Sequence, residues 1–118
     1  MNYLFTPEQT AQWDELVEKL KKLVQKNKIS LEGILLLIGM REMGMAPEKF
    51  SKDIKQDLIH VGMCTILEPG GYYKALPKDP DGWPHWELTK PLPFLDPLEQ
   101  VNFIRLHVLG YFEGVFEE

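Results

Sequence analysis

The stretch Asp57–Lys90, DLIHVGMCTILEPGGYYKALPKDPDGWPHWELTK, decides how this chain is read. Gly62 follows the amphipathic run Phe50, Ile54, Leu58 and Val61, so a helix is expected to end there. Cys64-Thr65-Ile66-Leu67-Glu68 then reads as a first strand, rich in apolar and β-branched residues. Pro69-Gly70-Gly71 supplies a tight turn into a second strand, Tyr72–Leu76. Asp79-Pro80-Asp81-Gly82 fits a type I turn, with Asp first, Pro second and Gly fourth. Trp86–Thr89 is the third strand, which makes the region a two- or three-stranded hairpin.

Helices are expected on both sides of this hairpin. Thr6 can cap a first helix, with Pro7 in its first position and Gln9 closing a capping box. Trp13, Leu16, Val17, Leu20, Leu23 and Val24 form its apolar stripe, and Asn27 and Lys28 end it. Ser30 caps a second helix whose Ile34–Ile38 core is apolar on every side, with Gly44 as its stop. Gly33 and Gly39 cost this helix propensity, and they allow a neighbouring helix to approach closely. Pro47 fits the first position of a third helix. Six of the nine prolines fall in residues 77–97, so Pro91-Leu92-Pro93 should be extended rather than regular. Asp96 then caps a last helix, with Pro97 first and Glu99 closing a capping box, running to about Phe112.

This order resembles a winged helix-turn-helix domain, in which a β-hairpin wing follows the recognition helix. The resemblance covers residues 7–90 at the level of element order and hydrophobic pattern. It implies an α+β fold: a three-helix core, a β-hairpin wing and an added C-terminal helix. At 118 residues the chain is expected to form one domain, 1–118, with the core at 7–90 and the proline-rich connection and last helix at 91–118. The resemblance also implies DNA contacts from the third helix and the wing, through Lys49, Lys52, Gln56 and Lys74.

Charge opposes that implication. The net charge is −5, so no global field draws the chain to nucleic acid or anionic lipid. The third helix has no arginine, and its lysines are balanced by Glu48, Asp53 and Asp57. Residues 91–118 hold one arginine against five acids. Cys64 is the only cysteine, which rules out an intramolecular disulfide and a cysteine-cluster zinc site and fits a reducing, cytoplasmic setting. The N-terminal residues lack the basic and apolar regions of a signal peptide, and the longest apolar run is too short to span a bilayer.

Catalytic signals are thin. His60, His85 and His107 are far apart and form no metal-binding spacing, so neither a metal nor another cofactor is expected. Ser30 and Ser51 are explained by helix caps. Cys64 lies within reach of His60, the closeness a reactive Cys–His pair needs, but a lone cysteine also serves as a small buried apolar residue. The remaining feature is aromatic. Tyr72, Tyr73, Trp83, His85 and Trp86 cluster in the hairpin, where they either pack it or present a recognition surface. The last helix has two apolar stripes, one containing Phe103 and Leu106, which suits either burial or a homodimer. The expected function is therefore a non-catalytic, cytoplasmic protein-interaction or regulatory module. Its partner contacts are Trp83, His85, Trp86, Tyr72, Phe103 and Leu106. The alternatives are a DNA-binding regulator and, third, a small enzyme using Cys64 and His60.

Overall fold

The computed structural model describes residues 3–93 and 95–116. The fold is α+β: α1 (Pro7–Val24), α2 (Leu31–Met43), α3 (Lys52–Leu67), β1 (Tyr73–Leu76), β2 (His85–Leu88) and α4 (Pro97–Phe116). Three helices, a two-stranded antiparallel hairpin and a C-terminal helix appear in the expected order. Contacts divide the chain into two compact units, Ser30–Leu92 and Met1–Ile29 with Pro93–Glu118. Thus α1 groups with α4, and α2, α3 and the hairpin form a continuous unit.

The helix starts follow their caps. Thr6 and Gln9 form the reciprocal capping box, and the Ser30 hydroxyl accepts from the Gly33 amide at 3.0 Å. Asp96 accepts from the Glu99 amide at 2.8 Å. α1 stops earlier than expected, at Val24, because Gln25 takes the left-handed conformation and returns its amide to the last turn. α4 runs further than Phe112, to Phe116.

Two expectations fail in the central unit. The third helix does not start at Pro47. Ser51 is its cap, with its hydroxyl accepting from the Ile54 amide at 3.2 Å, so Lys49 lies outside the helix. Nor does the helix stop at Gly62. A glycine ends a helix by adopting positive φ, and among the described residues only Gly44, Gly71 and Gly82 do so. Cys64-Thr65-Ile66-Leu67 is consequently the last turn of α3 and not a strand. Burial of Cys64, Ile66 and Leu67 overrides their β propensity. The Thr65 hydroxyl donates back to the Val61 carbonyl at 2.7 Å, which satisfies it inside the helix. Pro69 has no N–H with which to continue the helical ladder, and the Pro69-Gly70-Gly71 turn joins helix to strand instead of strand to strand.

Gly62 has a different task. A methyl group there would lie 3.0 Å from the Leu35 carbonyl carbon and closer still to its oxygen. A methyl group on Gly39 would meet Leu58 in the same way, at 2.8 Å from the carbonyl carbon. The pairs 35–62 and 39–58 advance along α2 while retreating along α3, so the helices run antiparallel with their backbones in contact. Such contact is closer than the roughly 8–10 Å axis separation that side chains usually impose. Ile34, Leu35, Ile38, Leu58 and Val61 are buried around this crossing.

The hairpin pairs Tyr73 with Leu88, Lys74 with Glu87, Ala75 with Trp86 and Leu76 with His85. Tyr73 and Trp86 therefore share one face, and Leu76 and His85 the other. The first face is tied to the end of α3, because the Trp86 indole N–H donates to Glu68 at 3.1 Å. Lys90 closes the base of the hairpin, donating to the Gly70 carbonyl at 2.8 Å with its ammonium 4.2 Å from the centre of the Tyr72 ring.

Candidate functional site: a cleft between α3 and the hairpin loop

The loop between β1 and β2 is built on Asp79. Its backbone carbonyl accepts from the Gly82 amide at 2.9 Å, which is the expected type I turn. Its Oδ1 accepts from the amides of Asp81 and Trp83, both at 2.9 Å. Its Oδ2 lies 2.9 Å from Nε2 of His85. The His85 hydrogen bond, followed by the Trp83 amide, holds the Asp79 carboxyl below its ordinary range. One short side chain thereby fixes the positions of both Trp83 and His85.

This loop and α3 enclose an open cleft of about 300 Å³. The helix contributes Ile54, Asp57, His60 and Val61. The loop contributes Asp79, Trp83, Pro84 and His85. Trp83 and Pro84 are half-buried, whereas Asp57, His60 and His85 are exposed. No lysine or arginine lines the cleft. The Asp57 carboxylate has no hydrogen-bond or ion-pair partner among the described residues. Leu76, cross-strand from His85 and 39 % exposed, extends the same face with apolar surface.

No protein-family model, curated protein or solved structure matches the chain. The chemistry of the cleft rests on its own residues.

The expected aromatic cluster does not form one surface. Trp83 and His85 meet in the cleft, but Tyr72 lies under Lys90 and Trp86 is tied to Glu68. In the other unit Phe103 is 5 % exposed, with Tyr3 edge-on at 5.2 Å and His107 at 4.5 Å. Its ring is interior, which corrects its expected place on a partner surface. Leu106 is half-buried.

The candidate DNA contacts are also spread apart. Lys52 and Gln56 share a face of α3 one turn apart, Lys49 precedes the helix, and Lys74 sits on β1 opposite Glu87. Asp53 and Asp57 alternate with Lys52 and Lys55 on the exposed side of α3.

Cys64 and His60 do approach each other, with Sγ 3.5 Å from Nε2. The electrostatics run against a nucleophile, however. Cys64 is 0 % exposed, and burial pushes its thiol up to about 11. A reactive cysteine needs a depressed value and access, and Cys64 does not line the cleft that His60 faces. Among the described residues, no three His, Cys, Asp or Glu side chains are arranged to hold a metal ion. No helix among them is long and apolar enough to cross a membrane.

Sequence reading singled out Trp83 and His85 but missed Ile54 and Asp57 as their neighbours. In the sequence Asp57 offsets a lysine charge, and nothing there pairs it with Trp83. Its place opposite Trp83 depends on a hairpin fold-back that local patterning does not encode.

Proposed function

We propose that the protein is a non-catalytic, cytoplasmic interaction module of winged-helix type, which docks a partner protein at the cleft between α3 and the 79–85 loop. The observation that carries this reading is the fixed presentation of Trp83 and His85, by Asp79, over the exposed face of α3. Anchored aromatic side chains beside a concavity are the usual energetic centres of protein interfaces. Leu76, 39 % exposed and on the His85 face of the hairpin, adds apolar surface beside the cleft. Burial of Cys64, which pushes its thiol up to about 11, supports a non-catalytic role. Self-association through α4 ranks lower, because Phe103, Val108 and Phe112 are already buried. DNA binding through Lys49, Lys52, Gln56 and Lys74 ranks lower too, given the intervening aspartates.

Photo-crosslinking tests the docking reading. A benzoylphenylalanine at position 76, on the rim, is expected to give a discrete protein adduct in an extract of the source cells. The same group at Thr10, an exposed position on α1, should not give it, and Asp57→Lys should reduce the yield at least about fivefold. Identical adducts from both positions, or none from position 76, contradict the proposal.

A further inference from the structure

We infer that the cleft receives a cationic side chain, lysine or arginine, from a segment of the docked partner. This rests on the reading of the cleft as a protein-docking surface, and it specifies what that surface recognises.

Charge complementarity comes first. Asp57 and Asp79 both face the cleft, and no lysine or arginine does. The two carboxylates differ in how they are used. Asp79 spends both oxygens within the protein, on two amides and on His85. Asp57 spends neither, so its oxygens remain available to a guest. Asp79 is thus a positioning residue, and Asp57 is the anchor.

The walls suit the rest of such a side chain. Lysine and arginine carry apolar stems that pack along hydrocarbon while the charged head seeks an acceptor. Ile54, Val61 and Pro84 provide that hydrocarbon, and the half-buried Trp83 indole is the aromatic face that attracts a cation most strongly. The volume of about 300 Å³ lies at the lower end for ligand sites, which favours one inserted side chain over a multi-ring cofactor. An anionic group such as phosphate would meet the unpartnered Asp57 carboxylate and no lysine or arginine.

Two concavities in the other unit offer less: one of about 360 Å³ at the end of α1 is lined by Lys21, Lys22 and Lys26 and would repel a cation. The second, of about 190 Å³ between α1 and α4, mixes Glu15 and Glu113 with Lys19 and selects no charge.

The test is a titration of the full ¹⁵N-labelled chain with three capped peptides, Gly-Ser-X-Gly-X-Ser-Gly, where X is Lys, Glu or Leu. The lysine peptide is expected to shift the backbone amides of Asp57, His60 and His85 and the indole of Trp83. Asp57→Asn should weaken its binding about tenfold, and Trp83→Leu should weaken it as well. The spectra themselves report whether each variant is folded, and Asp57, being exposed, leaves α3 intact. Raising the salt concentration should weaken the lysine peptide further. The inference is overturned if the lysine peptide leaves these resonances unmoved at millimolar concentration, or if Asp57→Asn binds it equally. If the leucine or glutamate peptide moves them and lysine does not, the cationic class is wrong while docking at the cleft stands. A failed crosslink at position 76 would instead remove the docking reading itself.

Discussion

The two helix pairs of this chain are built from different materials. In α2 and α3 backbone meets backbone, through Gly39 on Leu58 and Gly62 on Leu35. In α1 and α4 the contacts are between long side chains: Arg105 lies 5.2 Å from the centre of the Trp13 ring, and Lys19 lies 5.4 Å from that of Phe116. α4 has helical glycines of its own, Gly110 and Gly114, but a methyl group on either would meet open space. A helical glycine is therefore a contact only where a partner backbone arrives. The two kinds look alike in a sequence and should respond oppositely to the same substitution.

The largest effect is expected from Gly62→Ala or Gly39→Ala. The added methyl group meets a carbonyl group that no rotamer change can move, so the helices must separate. A loss of about 3 kcal/mol in urea unfolding is predicted, toward the upper end for overpacking. An unchanged midpoint for both variants would break the contrast.

High pH probes the same region through Cys64. Burial raises its folded value to about 11, so the unfolded thiol ionises first. Stability from this group is full below the ordinary thiol value and lost as pH rises from there toward 11. The loss should amount to about 2–3 kcal/mol. Cys64→Ala should lack this component, although other groups titrate in both proteins. The native thiol should also resist iodoacetamide at pH 8 and react once urea unfolds the chain.

The α1–α4 unit should give smaller changes. Gly110→Ala is predicted to stabilise by roughly 0.5–1 kcal/mol, since the methyl group has space and glycine is a poor helix former. Destabilisation there would show that both helix pairs are close-packed. Arg105→Ala should cost roughly 0.5–1 kcal/mol through the lost Trp13 contact.

The smallest effect is local. Because hydrogen bonds hold Asp79 below its ordinary range, its contribution to the loop is present above the usual carboxylate value near ~4. It is lost as pH falls through the lower folded value. The Trp83 indole resonance should report that change, and Asp79→Asn should remove it.

Much of this architecture was legible because capping is local. Thr6, Ser30 and Asp96 announce their helices within three residues, and Asp79-Pro80-Asp81-Gly82 carries its own turn geometry. Gly62 was misread because its meaning lies on another helix. Read alone, glycine before Cys64-Thr65-Ile66-Leu67 signals a break and a strand; read against Leu35, it lets the helix continue. The site divides in the same way. The proximity of Trp83 and His85 follows from one loop, whereas Asp57 joins them only through the tertiary fold. Phe103 was placed on a surface because periodicity marks an apolar stripe without saying whether that stripe is covered.

The central claim is that the face of α3 carrying Asp57 and His60, which faces the aromatic loop, belongs to a protein-docking cleft and not to a nucleic-acid surface. Fluorescence anisotropy with labelled duplex DNA, at low and near-physiological salt, tests it most directly. The sequence-independent phosphate attraction is strongest at low salt, so a nucleic-acid surface would reveal itself there. The account predicts no binding at either concentration. Steep, salt-sensitive binding that disappears in Lys52→Glu/Lys74→Glu would contradict it and make α3 and the hairpin a DNA-binding face.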